Sequence, residues 1–177
     1  AVLVRNTKTG LVPQEDMGIV YVSVSTRPGT SLQRNAEIME QLNKGISMIP
    51  GIRHCSHTSG FSFFGSGPSM GMLILTLQPW EERTDPSMSS EAIMGMVYGL
   101  ASEIPEASVF SFEPPVIPGY GMGSGFELYV QDKRGGDINE FKNVTDNFVA
   151  ALSQRPEIGE VYSTFEINYP QYWVDID

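Results

Sequence analysis

The 177-residue chain is poor in cysteine, in histidine and in positive charge: one Cys, two His, and eleven Lys and Arg against twenty-one Asp and Glu. A lone Cys55 cannot close an internal disulfide, so packing alone must hold the fold, and the redox compartment stays open. The net charge of −10, with no basic run longer than Lys133-Arg134, lacks the Lys/Arg footprint that neutralises phosphates and argues against a nucleic-acid partner. No apolar run nears the roughly 20 residues that span a bilayer; Met72–Leu75 and Ala92–Leu100 are too short, and Ala1–Val4 is a stub before Arg5 rather than a signal peptide. A membrane protein is excluded for this segment, though not a segment cut from one. What remains is an apolar fraction of 41% with mean hydropathy of −0.12, which fits a folded globular chain. Eighteen glycines and twelve prolines exceed the usual share of about 12%. Nine methionines suit adaptable apolar contacts.

Three helices are expected. Thr30 and Gln33 have capping-box spacing and lead into Leu32, Ala36, Met39, Leu42 and Ile46 at helical period. Ser89 or Ser90 opens a second helix carrying Ile93, Met96, Val97, Leu100 and Ile104; Asp137 with Glu140 opens a third carrying Phe141, Val144, Phe148 and Leu152. Each stops at a proline: Pro50, Pro105 and Pro156. A strand-like run precedes each helix (Gly18–Ser25, Met72–Leu77, Phe126–Val130) and another follows (Ile52–Gly60, Val109–Phe112, Glu160–Ile167). The strand–helix–Pro–strand unit thus recurs three times. Two units in series give βαββαβ, an α+β ferredoxin-like fold with both helices on one face of an antiparallel sheet, covering residues 13–113. Segment 114–125 is dense in Pro and Gly and reads as a hinge. Residues 126–168 supply only half of a second copy, an incomplete βαβ subdomain, and 169–177 begin a further strand. A half-copy is marginal alone, so the chain is expected to be a segment whose parent completes the second module.

The segment Gly60–Gly71 reads as a glycine-rich loop between two strands. No helix follows it and no Lys-Ser/Thr pair closes it, so it is no phosphate cradle. A mobile hairpin connection is one reading. Phe61 and Phe63 favour another, a loop whose glycines give freedom and whose rings give non-directional contact to an apolar ligand. If Val20, Val22 and Val24 face the helices, Tyr21 and Ser23 lie on the open sheet face; Phe110 and Phe112 share one face of their strand. An aromatic open face invites a ligand or a neighbouring module. His54, Cys55 and His57 alternate, leaving two convergent ligands at most and no metal site. Glu15-Asp16 and Asp175/Asp177 read as solvated edge charges. Arg27 and Asn35 are the nearest match to an acylphosphatase-like pair, without its phosphate loop. No nucleophile elbow occurs, so no catalytic residues and no cofactor are assigned.

Leu11-Val12-Pro13-Gln14-Glu15-Asp16-Met17-Gly18, Arg27-Pro28-Gly29-Thr30, Gly60-Phe61-Ser62-Phe63 and Pro79-Trp80-Glu81-Glu82-Arg83, taken in order, resemble the resistance–nodulation–division (RND) efflux transporters, specifically the AcrB-like hydrophobe/amphiphile exporters. The resemblance runs over the whole chain. It implies that 1–12 is the end of a transmembrane helix and its linker, that 13–113 is a periplasmic porter subdomain, that 126–168 is the first half of the next, and that 169–177 enters a docking-domain strand. Gly60, Phe64, Gly65, Gly67 and Gly71 would belong to a switch loop whose Phe61 and Phe63 contact drugs. Tyr21, Ser23 and Ile74 would line a deep pocket, with Phe110, Phe112 and Pro114 near an outer cleft. Tyr162 stands where well-known members carry an Arg, Ser56 where they carry a Phe, and Phe64 where they carry a small residue. The resemblance further implies hydrophobic and amphiphilic small-molecule substrates and a homotrimer in the Gram-negative inner membrane. It also implies proton coupling through residues outside this segment, with periplasmic adaptor and outer-membrane channel partners. On the residues alone, a stand-alone ferredoxin-like small-molecule sensor remains the alternative.

Overall fold

The computed structural model describes residues 16–115, 126–158 and 161–167. Along the chain run β1 (Ile19–Thr26), α1 (Leu32–Ile46), β2 (Ile52–Ser62), β3 (Gly65–Leu77), a 3-10 turn (Pro86–Met88), α2 (Ser90–Ser102), β4 (Ala107–Phe112) and α3 (Ile138–Ser153). The four strands form one sheet in the order β2-β3-β1-β4, every neighbouring pair antiparallel. That is the βαββαβ arrangement the internal repeat predicts.

Alternation builds the core. Val20, Val22 and Val24 of β1 and Leu73, Leu75 and Leu77 of β3 point to the same face, where they meet Ile38, Met39, Leu42 and Ile46 of α1 and Ile93, Val97 and Ala101 of α2. Both helices therefore cover one side of the sheet. Each fully buried aliphatic side chain contributes about 1.5–3 kcal/mol. α1 departs from expectation by one residue at its start. Thr30 Oγ1 donates to Arg27 O at 2.7 Å, which closes the preceding turn, and the cap passes to Ser31, whose Oγ accepts from the Arg34 N–H. The buried stripe accordingly includes Asn35 and Ile38, while Leu32 is exposed and Ala36 only half-buried. α2 and α3 begin as predicted, with Ser89 and Asp137 at their caps.

The start of β1 is pinned to the β3–α2 connection by a buried guanidinium. Arg83 Nη1 lies 2.7 Å from Asp16 Oδ2, and Arg83 Nε donates to Gln78 O at 2.6 Å. Burial alone raises the Asp16 carboxyl pKa, but the Arg83 hydrogen bond, the Gly18 N–H and the Arg83 charge outweigh it and hold the group below the usual carboxylate range.

Two predicted features take another form. Residues 126–130 and 161–167 are not strands: among the described residues neither joins a ladder, and a strand exists only through lateral pairing. α3 consequently leaves Val144 and Phe148 exposed, although Phe165 packs on Phe141 at 5.1 Å between ring centroids. Segment 60–71, read as a loop, lies largely within the β2–β3 hairpin, turned at Phe63-Phe64. Glycine and serine are weak strand formers, but backbone pairing of Phe61 with Ser66 and Ser62 with Gly65 extends the ladder regardless. The expected segments 1–12 and 169–177, most of the hinge 114–125, and the carboxylates Glu15, Asp175 and Asp177 lie outside the described residues.

Candidate functional site: an aromatic face under a folded hairpin

The sheet face opposite the helices carries Tyr21 and Ser23 from β1, Met72 and Ile74 from β3, and Phe110 and Phe112 from β4. The register sets Tyr21 between Ile74 and Phe112, and Ser23 between Met72 and Phe110. Yet Ser23 is 2%, Met72 7% and Phe112 9% exposed, so this face is covered.

The cover is the hairpin tip. Phe63 sits 4.8 Å from Tyr21 and 5.9 Å from Phe112; Phe64 sits 5.7 Å from Phe110 and 5.8 Å from Phe112. Tyr21 lies opposite Ile74, nine residues along β3 from Gly65, a separation of about 30 Å in a straight strand. The arm therefore curls back over its own sheet. Tyr162, from the second half of the chain, closes the other side at 5.0 Å from Phe64 and 4.9 Å from Phe110. Six rings thus form one layer over the sheet, each edge or stacked pair worth about 0.5–1.5 kcal/mol beyond its area.

The register places the bend. Ser59 pairs with Gly71 and Phe61 with Ser66, so Gly67–Met70 of β3 face Gly60 alone. A strand with extra residues bends, and Gly60 takes φ +88°, a conformation open to glycine and costly for other residues. The backbone groups stripped of ladder partners are met by side chains. Asn35 Nδ2 donates to Pro68 O and Met70 O, both at 2.7 Å, and Thr26 Oγ1 donates to Ser69 O at 3.0 Å. Gly71 faces Met39: a Cβ there would lie 2.4 Å from Met39 Sδ.

Of the residues singled out from sequence, Tyr21, Ser23, Phe63, Phe64, Phe110, Phe112 and Tyr162 come together in or beneath this layer, and Ile74 borders it, half-buried. Phe61 is 47% exposed on the hairpin arm; Pro114 is half-buried just after β4. Gly65 and Gly67 lie in the β3 arm. Gly71 also belongs to β3 and serves close packing rather than a loop. Burial raises the Tyr162 hydroxyl pKa, which keeps it neutral in an uncharged site. Asn35 and Thr26 were not assigned to this site from sequence. A polar residue inside the apolar stripe of α1 is the signal that could have found Asn35.

The other constellations do not converge. His54 and Cys55 lie on opposite faces, and His57 Nε2 is 3.8 Å from Glu40 Oε2. Among the described residues no group of three His, Cys, Asp or Glu could hold a metal. Asn35, the partner of Arg27 in the hydrolase reading, commits its amide to carbonyls while Arg27 is exposed. No helix among the described residues is long and apolar enough to cross a membrane.

Against known proteins, residues 1–177 match the family model described as the AcrB/AcrD/AcrF family. The solvent-resistant pump membrane transporter SrpB of Pseudomonas putida is 28% identical over 168 residues, 94% of this chain and 16% of its own length. The multidrug/solvent efflux pump membrane transporter MepB of Pseudomonas putida is 28% identical over 171 residues, 96% of this chain and 16% of that protein. The multidrug resistance protein MdtF of Escherichia coli is 25% identical over 158 residues, 88% and 15% respectively. The chain thus spans about 16% of the length of the curated relatives it matches.

Proposed function

The chain belongs to the AcrB/AcrD/AcrF family, the RND multidrug and solvent efflux transporters, and on that premise we propose that it is a periplasmic porter segment of a proton-driven inner-membrane pump. In this reading the aromatic face is part of the binding pocket for hydrophobic and amphiphilic molecules, and the β2–β3 tip is its switch. One observation carries the proposal: Phe63 and Phe64 fold over Tyr21, Phe110 and Phe112, so lifting the tip exposes an apolar, uncharged ring surface. Rings in mutual contact exchange readily for contact with a ligand of similar polarity, because neither state leaves a buried polar group unpaired. Such contacts are non-directional and tolerate many substrates.

The subdomain boundaries follow the same proposal: a porter module at 13–113, a hinge at 114–125, half of a second module at 126–168, and a docking strand at 169–177. The role is transport rather than catalysis and asks for no cofactor. In the parent protein the segment would assemble as a homotrimer with an adaptor and an outer-membrane channel, and proton coupling would reside elsewhere in the polypeptide.

Phe63→Ala in the parent protein, which removes a ring that closes on Tyr21 and Phe112, is expected to lower resistance to some drugs while trimer assembly stays intact. Unchanged resistance to every substrate tested would sink the switch assignment. The isolated 177-residue chain is expected to bind drugs weakly, since other parts of the parent protein supply half of the pocket. Micromolar binding by calorimetry would favour a stand-alone sensor module instead.

A further inference from the structure

The bend that folds the hairpin over the aromatic face meets a buried amide, that of Asn35. Gly67–Met70 have no counterpart on β2 except Gly60, and the ladder between β1 and β3 reaches only Ser25 and Met70. Carbonyls released there must find donors or water. Asn35 is 0% exposed on the sheet side of α1, and its Nδ2 spans the carbonyls of Pro68 and Met70, two residues apart, at 2.7 Å each. The alternative amide orientation would set Oδ1 against both carbonyl oxygens, so the donor side is fixed by its partners. Asn35 Oδ1 is itself buried without a partner among the described residues, a cost retained at this position and consistent with a placement chosen for its two donors. Two neighbours brace the same bend from α1: Leu32, whose Cδ1 lies 3.3 Å from where a Gly60 Cβ would sit, and Met39 against Gly71. The third carbonyl of the bend, that of Ser69, is taken by Thr26 Oγ1.

We infer that Asn35 is a positioning residue for the hairpin, clamping Pro68 and Met70 so that Phe63 and Phe64 rest on the aromatic face, with Thr26 as its lesser partner. The clamp explains why a polar side chain occupies the apolar stripe of α1. It also gives the hairpin a defined closed position instead of the free swing of a glycine-rich loop. The inference deepens the switch reading and rests on it for its functional meaning, but its geometry is tested separately.

The experiment uses the parent protein with native cysteines replaced and spin labels at Ser66 and Ser108, both exposed, on the hairpin arm and on β4. A second labelled pair, Lys44 and Ser108, reports on the sheet and helices independently of the hairpin. The expected wild-type result is one narrow distance for each pair. Asn35→Leu removes both donors at similar volume; it is expected to add a second Ser66–Ser108 population longer by roughly 10–15 Å, the reach of the residues beyond the clamp. The control pair should stay unchanged. Thr26→Val removes one donor with little change in shape and is expected to give a smaller long population; it carries the test if Asn35→Leu disturbs the control pair. A single closed distance in Thr26→Val and in any folded Asn35→Leu protein overturns the clamp. Drug susceptibility at matched expression separates the two readings. An opened hairpin with unaltered export would leave the clamp standing and remove the switch, whereas altered export with a closed hairpin would do the reverse.

Discussion

The two faces of this sheet are built from the same strands and differ in almost every physical respect. The helix side is aliphatic: Val20, Val22, Val24, Leu73 and Leu75 are all 0% exposed against two helices. The other side is aromatic and hydroxylic, and its cover is a hairpin tip and Tyr162 instead of an element of regular structure. Branched aliphatic chains interlock and lose much when separated. Aromatic rings held by edge and stacked contacts lose less and can re-form the same contacts with a ligand. One face suits permanence and the other exchange.

Substitution on each face tests that division. Leu73→Ala, on the helix side, is expected to cost about 3 kcal/mol in denaturant unfolding of the 177-residue chain. Phe63→Ala, on the aromatic side, is expected to cost only about 1 kcal/mol, because the ring is 39% exposed and rests on Tyr21 and Phe112 without an interlocking socket. Equal losses would erase the distinction. The smallest effect concerns Cys55, which packs toward the helix side of β2. Burial pushes its thiol up to about 11, a hydrogen bond to Ser47 offsetting this only in part. The thiolate fraction at pH 8 is therefore small, and iodoacetamide is expected to label the native chain at least about tenfold more slowly than the denatured one. Equal rates would show that this edge of the helix side is open.

Much of the architecture was legible because it rests on period. β1, β4, α2 and α3 follow from alternation or from caps followed by helical spacing, and the recurrence of the unit gave βαββαβ. The exceptions share a cause, which is that hydrogen-bond partners outside the pattern, near in sequence or far, decided the local outcome. Thr30 has the spacing for a cap, but the Arg27 carbonyl takes its hydroxyl and Ser31 replaces it. Phe126–Val130 has strand composition, yet composition cannot supply a neighbouring strand. Gly60–Gly71 has loop composition and becomes hairpin through pairing that Asn35 and Thr26 support across the fold. In the candidate site the ring residues were legible from alternation and resemblance. Their closure on one another was not, since the bend depends on register: four residues of β3 facing one of β2.

The close approach of Gly71 to Met39 ties two positions far apart in sequence into a single unit of volume. A methyl group at 71 would run into the thioether of Met39, the flexible end of a fully buried side chain, so drift at either site is constrained by the other: 71 gains a side chain only where residue 39 swings aside or has shrunk. Among descendants of this sequence the two positions should vary jointly, with long side chains at 39 accompanying glycine at 71.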